Sequence, residues 1–594
     1  MKAEQFDPKS TEIETLSDML GVINRTDALH DHSITSVKIY VLRNFTIEGL
    51  EPYIKYKFFQ SGFNSDVVYG NYDSITQEII DDSSALYKSE PDLIVISLYL
   101  ETYLSGTWRS NWNSVDVFDG LKAIYVELAA KTTATILVNT FISPFYSNYG
   151  VGGGTEFPSR FHETEKLNQL IRDFVRDTSP QFVLIDWARI IRLIGESDSL
   201  DYRFWYMSKS PFKKKFLEAY ASEITTVTRA LMGKTKKCLV LDCDNTLWGG
   251  VVGEDGLNGI SLDPHSYPGN VFFEFQQVVI ELYERGVILA LCSKNNERDV
   301  WDVFDSHQYC SLTRDHFSAS RINWDDKASN IRAISLELNI GLDSFVFVDD
   351  SSTECGLVEA MLPEVTVLQV PAKIHTYAQL LNKDGFFDSL VSSKEDKSRT
   401  KMYRDESKRK NELYKFKSIE QYLSSLSLSI TVHQATLDEI PRISQLTQKT
   451  NQFNLTTRRY SEQQIVSFIN QPSWIVISLS VTDRFGDLGL TGVLIASISE
   501  STVDVDTYLL SCRVLGRNIE FAFFKSAAEI IDRSWKITNW RAEYIKTNKN
   551  EQVKAFMAAL GFTVTTHSDE VTGFELSNVI SIAKVPAYIS VNKE

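Results

Sequence analysis

The stretch Lys237-Cys238-Leu239-Val240-Leu241-Asp242-Cys243-Asp244-Asn245-Thr246-Leu247-Trp248-Gly249-Gly250 narrows the possible folds more than any other part of the chain. An apolar run ends abruptly in two carboxylates one residue apart. Such a run reads as a strand buried on both faces of a parallel sheet. Open α/β sheets place their ligands at the carboxyl ends of the strands, which is where Asp242 and Asp244 then stand. Aspartates there can hold a divalent cation through hard oxygen ligands. One of them can also attack phosphorus and form an aspartyl phosphate. A solvated acidic turn would explain a D-x-D alone; the apolar strand before it favours chemistry.

Three later stretches extend the pattern. Val287-Ile288-Leu289-Ala290-Leu291-Cys292-Ser293-Lys294-Asn295 is a second apolar strand, ending in a hydroxyl. Asn323-Trp324-Asp325-Asp326-Lys327 opens a helical stretch. Phe345-Val346-Phe347-Val348-Asp349-Asp350 is another strand ending in paired acids. In this order and spacing the four stretches resemble the motifs of the haloacid dehalogenase (HAD) superfamily. The resemblance implies that Asp242 is a nucleophile and Asp244 a general acid/base. It implies that Ser293 hydrogen-bonds phosphoryl oxygens and that Lys327 neutralises charge. Mg²⁺ would bridge Asp242, Asp349 and the phosphate, with Asp244 and Asp350 completing the metal-binding set. Asp350 has a second reading, as a cap for the helix beginning at Ser351 and Ser352. Such parts suit phosphoryl transfer, which needs positioning and neutralised charge.

Leu247-Trp248-Gly249-Gly250-Val251-Val252-Gly253-Glu254-Asp255-Gly256 narrows the resemblance to the FkbH-like subgroup. So do Gln448-Lys449-Thr450-Asn451-Gln452-Phe453-Asn454-Leu455-Thr456-Thr457-Arg458-Arg459 and Ser511-Cys512-Arg513-Val514-Leu515-Gly516-Arg517. Members of that subgroup resemble glyceryl-carrier-protein synthases. The resemblance implies an enzyme that dephosphorylates 1,3-bisphosphoglycerate and transfers the glyceryl unit, as a thioester, to an acyl carrier protein in polyketide-type biosynthesis. Its partners would be that carrier protein and a phosphorylated small-molecule donor, with Mg²⁺ as cofactor and the carrier's phosphopantetheine arm as substrate. It also implies an acyl-enzyme thioester, hence a cysteine acceptor. Cys243 lies between the two aspartates, where Mg²⁺ and Lys327 would favour its thiolate, although strand alternation sends side chains 242 and 243 to opposite faces. Cys512 stands beside Arg513; direct transfer to the carrier is a third route. An alternative reading is a HAD phosphatase fused to a GNAT-like acyltransferase acting on sugars in surface-polysaccharide assembly; a non-catalytic assembly subunit is another.

A chain of 594 residues is too long for one core. Its 43% hydrophobic and 23% charged residues are ordinary for globular proteins. A net charge of -17 argues against nucleic acid as a partner. No apolar run approaches a membrane span, and Met1-Lys2-Ala3-Glu4-Gln5-Phe6-Asp7 lacks a signal-peptide core. The six cysteines, at 238, 243, 292, 310, 355 and 512, form no C-x-x-C and no zinc spacing. These features lead to the expectation of a reduced, cytoplasmic protein.

The expected fold is α/β in three domains. Residues 1–205 alternate strands and helices like a flavodoxin/SGNH-like doubly wound sheet, after a peripheral arm with a helical pattern near Ile13 to Val22. The strand candidates are Val37 to Leu42, Asp66 to Tyr69, Leu93 to Leu98, Thr135 to Phe141 and Phe182 to Trp187. This order resembles the SGNH-hydrolase-like domain of some FkbH-like proteins, with departures. Where such hydrolases carry Gly-Asp-Ser, this chain has Leu42-Arg43-Asn44; where they carry Asp-x-x-His, it has Asp186-Trp187-Ala188-Arg189. A serine hydrolase without serine and histidine has neither nucleophile nor base, so this domain is expected to be inactive. Asn139 is a relic of a substrate contact or a loop cap, and Tyr149-Gly150-Val151-Gly152-Gly153-Gly154 a mobile loop.

Residues 206–236 read as a connecting helix and 237–372 as a HAD-type Rossmannoid sheet. About fifty residues separate Asp244 from Ser293, too few for a large cap, which leaves the C-terminal domain as the obvious cover. Residues 373–428 form a charged helical linker whose Lys394, Lys397, Arg399, Lys401, Arg404, Lys408, Arg409 and Lys410 read either as a solvated face or as the face meeting an acidic carrier protein. Residues 429–594 follow a β-α-α-β-β-β-α-β-α-β pattern that resembles the GNAT acyltransferase fold. There Arg513, Gly516 and Arg517 would hold the phosphate of the pantetheine arm at a helix N-terminus, or merely satisfy carbonyls. His265 is a surface-loop residue that could reach substrate, and Asn245 and Thr246 shape the turn after the D-x-D.

Overall fold

A computed structural model describes residues 35–106, 112–144, 159–178, 181–382, 384–389, 409, 416, 418–547, 549–568, 570–577 and 585–593. The expected N-terminal arm, the glycine-rich loop 149–154 and the linker residues 394, 397, 399, 401, 404, 408 and 410 lie outside them. The chain divides into two units, Met1–Arg229 and Ala230–Glu594.

The first unit holds five parallel strands, β1 (Thr35–Arg43), β2 (Phe63–Tyr69), β3 (Leu93–Ser97), β4 (Thr135–Asn139) and β5 (Phe182–Ile185), in the order β2-β1-β3-β4-β5. Every residue of β3 and β4 is buried, as a parallel sheet covered on both faces requires. The helix Lys214–Leu231, expected as a connector, packs into this unit instead. Its Phe216, Tyr220 and Ile224 are buried, Phe216 and Tyr220 meet the Trp187 ring edge-on, and the Tyr220 hydroxyl lies 2.8 Å from Ser97 Oγ. An amphipathic helix is fixed by the face it buries, and this face belongs to the first core.

The polar residues at these strand ends are committed to the backbone. Asn44 accepts from Tyr99 N at 2.8 Å and donates to Tyr99 O at 3.2 Å. Asn139 bonds Leu98 N and O and Thr140 O, so it ties loops together. Asp186 caps the helix Trp187–Ile194 through Arg189 N and also takes Thr140 Oγ1 and Arg172. Arg43 donates to Gly70 O and pairs with Glu48.

The second unit contains two sheets. The first is parallel: β6 (Cys238–Leu241), β7 (Ile288–Ser293), β8 (Phe317–Ile322), β9 (Phe345–Asp349) and β10 (Thr366–Gln369), ordered β10-β9-β6-β7-β8. Alternate residues of β6 enter different cores: Leu239 and Leu241 face one cluster, Cys238 and Val240 the other. The second sheet is mixed, with eight strands: β11 (Leu428–Gln434), β12 (Trp474–Asp483), β13 (Gly486–Ser499), β14 (Thr502–Leu510), β15 (Asn539–Ile545), β16 (Thr563–His567), β17 (Val571–Ser577) and β18 (Ile589–Lys593). Its element order follows the expected one through the short helix Phe556–Ala559 and β16. β17 and β18 lie beyond the expected pattern, and β18 adds a parallel edge beside β11.

β14 and β15 pair only over Thr502–Val505 and Asn539–Ala542. Beyond that the strands part, and residues 453–455 fill the gap: Leu510 N donates to Phe453 O, Leu455 N to Tyr508 O and Ile545 N to Leu455 O, at 2.9–3.2 Å. The 448–459 motif is thereby built into the sheet. Its Arg459 donates to Met232 O just before β6, and Lys549 pairs with Asp343 just before β9 at 2.7 Å. These ties join the C-terminal sheet to the amino edge of the β6–β10 sheet. The expected cover over the carboxyl edge is not what they build. Among the described residues no helix is long and apolar enough to cross a membrane.

Candidate active site

β6 stops where its apolar run stops, and Asp242 N donates to Val348 O at the strand's end. The chain then turns tightly: Cys243 O accepts from Thr246 N and Leu247 N, and Asn245 adopts φ 54° with its side chain holding Gly250 N at 2.9 Å. An asparagine tolerates this left-handed conformation better than most residues. The turn returns Trp248 and Val252 to Asp244, whose Oδ1 accepts from Trp248 Nε1 at 2.8 Å and from Val252 N at 3.0 Å. Asp244 Oδ2 accepts from Asn295 Nδ2, beyond the end of β7, at 2.8 Å.

Lys327 begins the helix Lys327–Leu338, whose N-cap Asp326 accepts from Ser329 N at 2.7 Å. Its ammonium lies 2.8 Å from Asp242 Oδ1 and 2.5 Å from Asp349 Oδ2, and all three residues are buried. Asp349 Oδ1 accepts from Ser351 N at 2.8 Å. The helix after β9 is capped by Ser351, which accepts from Glu354 N, so Asp350 is not its cap. Carboxylate oxygens of Asp242, Asp349 and Asp350 lie within 4.8 Å of one another. Three hard anionic oxygens at that spacing fit a small divalent cation. The carboxylate of Asp244 is outside this group; both its oxygens are engaged by donors, so an acid/base role suits it better than ligation.

The electrostatics divide the carboxylates. Burial, reinforced by the charge of Asp242, raises Asp349 above the usual carboxylate range; Lys327 and Ser351 N only partly offset this. Asp350 is raised by the same two causes. Burial also raises Asp244, against the pull of its three donors, which favours a protonated acid there. Burial lowers Lys327, but Asp242 and Asp349 more than reverse this, and the ammonium stays charged.

Ser293 is buried at the end of β7. The Cys243 thiol corrects an expectation. Cys243 is fully buried in the apolar cluster of Leu239, Leu241 and Trp248. Burial first, and then the charge of Asp242, raise its pKa well above that of an ordinary thiol. The alternation of β6 thus outweighs the nearby lysine, and Cys243 is a neutral core residue. Cys512 is half-buried at the start of a short turn after β14.

The expected phosphate slot is rearranged. Arg517 is buried and donates to Asp483 Oδ2 at 3.3 Å. Asp483, whose side chain is fully buried, also takes a bidentate pair from Arg409 at 2.7 and 2.8 Å. Arg517 therefore serves a buried ion cluster, and Arg409 belongs to the core of the C-terminal sheet and not to a solvated basic face. Arg513 donates to Ser511 Oγ at 3.3 Å, and Gly516 holds φ 76° with open space where a Cβ would stand. His265 is exposed on its loop.

Sequence reasoning missed Asn295 and Trp248 as partners of Asp244, and Lys294, which pairs with Glu354 at 2.7 Å. The signal for Asn295 was an amide two residues past a strand-ending hydroxyl. Trp248 carried none, because its contact depends on the turn.

Residues 38–229 match the family model described as FkbH, N-terminal domain. Residues 237–366 match that of the NLI interacting factor-like phosphatases. No curated protein matches the chain. Among solved structures, the N-terminal part of protein BF1531 from Bacteroides fragilis contains a phosphatase domain and is complexed with Mg. It is 27% identical, the match covers 64% of this chain and 100% of that one, and the TM-score is 0.59. The ribosomal-protein-S18-alanine N-acetyltransferase from Escherichia coli is 15% identical over 26% of this chain and 96% of its own, with a TM-score of 0.20. NAA60 from Arabidopsis thaliana is 12% identical over 25% and 97%, with a TM-score of 0.21. An FkbH N-terminal domain followed by a HAD-type phosphatase domain supports a phosphatase-type enzyme.

Proposed function

We propose that the chain is a Mg²⁺-dependent enzyme that removes a phosphate from a phosphoglyceryl donor, 1,3-bisphosphoglycerate, and passes the glyceryl unit to the thiol of an acyl carrier protein's phosphopantetheine arm. The observation that carries this reading is the Lys327 ammonium held between Asp242 and Asp349 at the carboxyl edge of the sheet, with Asp244 locked beside them. An Asp242 oxygen attacks phosphorus and the phosphoester P–O bond breaks. The leaving oxygen takes the proton of Asp244. Asp244, now a base, accepts a proton from the water that attacks the aspartyl phosphate and frees inorganic phosphate. Lys327 neutralises the charge gathered on the phosphoryl oxygens, and Ser293 donates to them. A cation held by Asp242, Asp349 and Asp350 would supply further charge neutralisation.

For the acyl step, a thiolate attacks the carbonyl carbon of the acyl phosphate and expels phosphate, leaving a thioester. With Cys243 in the core, the thiol in this reading is that of Cys512 or of the carrier arm itself. A Cys512 thioester would then be attacked by the carrier thiol, which takes the glyceryl unit and frees the Cys512 thiol. Among the described residues, the ties of the C-terminal sheet run to the amino edge of the β6–β10 sheet, which suits an arm entering at the carboxyl edge. The C-terminal sheet serves, in this reading, as the GNAT-like part of the transferase. Intact-mass measurement of a carrier protein incubated with enzyme, Mg²⁺ and 1,3-bisphosphoglycerate tests the proposal. A glyceryl mass on the carrier supports it; phosphate release with an unmodified carrier leaves a plain phosphatase.

A further inference from the structure

The helix Tyr202–Ser208 of the first unit buries a single side chain, Trp205. That ring lies 4.6 Å from the ring of Tyr99, centroid to centroid. The end of the helix is tied to the loop after β1: Thr46 N donates to Lys209 O at 2.9 Å and Thr46 Oγ1 to Ser208 O at 2.7 Å. At about 100° per residue, the positions opposite Trp205 are 203 and 207, with 206 beside them. Exposure follows that wheel, at 80% for Met207, 69% for Tyr206, 53% for Phe204 and 47% for Tyr202. Four large apolar or aromatic side chains thus face water from seven residues of pinned backbone. Exposed apolar residues are ordinary singly, but clustered they mark an interaction surface, and Tyr, Phe and Met are enriched in such surfaces.

The charges at the two ends of the helix select the partner. The Tyr202 end is acidic: its hydroxyl donates to Glu196 at 2.9 Å, and the charges of Glu196 and Glu101 both act on it. The other end is basic, with Lys209 as C-cap and its ammonium 4.2 Å from the Trp205 ring centroid. Arg203 and Lys215 are neutralised within the unit by Asp201 and Asp198, at 2.7 and 2.6 Å. A partner of one sign, such as an acidic carrier protein, would be repelled at one end. A second copy related by a two-fold axis sets acidic end against basic end twice, with the same apolar face between. That self-complementarity is what an isologous interface requires. We propose that the Tyr202–Ser208 helix is a homodimer interface. Two copies pack this face antiparallel across a two-fold axis, with Tyr206 and Met207 at the centre and Lys209 of each copy facing Glu196 of the other.

Sedimentation velocity of the full chain over a concentration series reads the dimer's dissociation constant. Wild type should form dimers. Tyr206→Ser combined with Met207→Ser should raise the constant about tenfold or more; both side chains face water in the free copy, so the fold should tolerate the change. Lys209→Glu and Glu196→Lys should each raise it about threefold to tenfold. Made together they should restore most of the affinity, a rescue that a fold defect cannot produce. A wild type that stays monomeric at every concentration overturns the proposal, as does a dimer unmoved by the serine pair. Failure of the paired charge reversal to restore the dimer overturns it too. A carrier protein that binds a monomeric chain, and is lost with Met207→Ser, gives this face to the carrier and overturns the second copy.

Discussion

Replacing Lys327 by methionine keeps most of the side chain's volume and removes its charge from between two buried carboxylates. The ammonium is 2.8 Å from Asp242 and 2.5 Å from Asp349. At an effective dielectric constant of about 20, each contact is worth roughly 6 kcal/mol of gross Coulomb attraction. Most of that offsets the desolvation of three charges; the measurable effect of removing one partner of a buried ion cluster is about 3–5 kcal/mol. The sign with pH follows from Asp349, whose pKa in the folded state is already raised and rises further without the lysine. An acid raised on folding loses stability as pH climbs through the carboxylate range. The variant's deficit should therefore be large at pH 8 and small near pH 4, where the site takes up protons. Mg²⁺ should recover part of it at pH 8, because a ligand that binds only the folded state stabilises it by mass action. In a chain of several domains a single unfolding free energy is ill-defined, so the assay is native-state hydrogen exchange of the β6 and β9 amides, in EDTA and in Mg²⁺. Exchange in Lys327→Met that matches wild type at pH 8 in EDTA would refute the buried-cluster reasoning.

Other outcomes follow from the same geometry. Asn295→Ala should lower kcat by roughly tenfold to a hundredfold with little change in KM, since it loosens Asp244 without touching the phosphate; steady-state kinetics decide. Cys243→Ala should still load the carrier and lose only about 1 kcal/mol of stability; failure to load in a folded variant returns Cys243 to the reaction. Asp483→Ala should remove the buried carboxylate that Arg409 and Arg517 share and cost about 3–5 kcal/mol, seen as early loss of protection in the C-terminal sheet while β6–β10 stay protected. Asp186→Ala should destabilise the first unit by about 1–2 kcal/mol through its lost cap. Burial opposes the charged form of Asp186, but Arg189 N, Thr140 and Arg172 lower its pKa overall. The difference between the two proteins should therefore shrink as pH falls below the ordinary aspartate value of 3.8, as hydrogen exchange of the β4 and β5 amides in the full chain would record.

What could be read from the sequence was local. An apolar run that ends in an acid declares both the strand and the place where chemistry can stand. Asp242, Lys327 and Asp349 lie far apart in the chain, yet parallel strands β6 and β9 must be neighbours for their ends to meet. The five strands of the first unit were legible for the same reason. What was not legible depends on partners distant in sequence. Arg517 looked like a phosphate ligand because Asp483, thirty-four positions earlier, gives no sign of being buried. The helix Lys214–Leu231 looked like a connector because its apolar face does not say which core it meets. Cys243 illustrates a conflict within local information: proximity to a lysine suggested a thiolate, strand alternation suggested the core, and the alternation prevailed because a buried thiol strongly disfavours its charge.

In the proposed mechanism Asp242 carries the phosphoryl group. Enzyme mixed with Mg²⁺ and a ³²P-labelled phosphoglyceryl donor, quenched in acid within milliseconds and digested, should yield label on the peptide containing Asp242, acid-stable and hydroxylamine-labile as an acyl phosphate must be. Asp242→Asn should yield none and release phosphate roughly a thousandfold more slowly or worse. Phosphate release at the wild-type rate from Asp242→Asn, or label on any other residue, would contradict it.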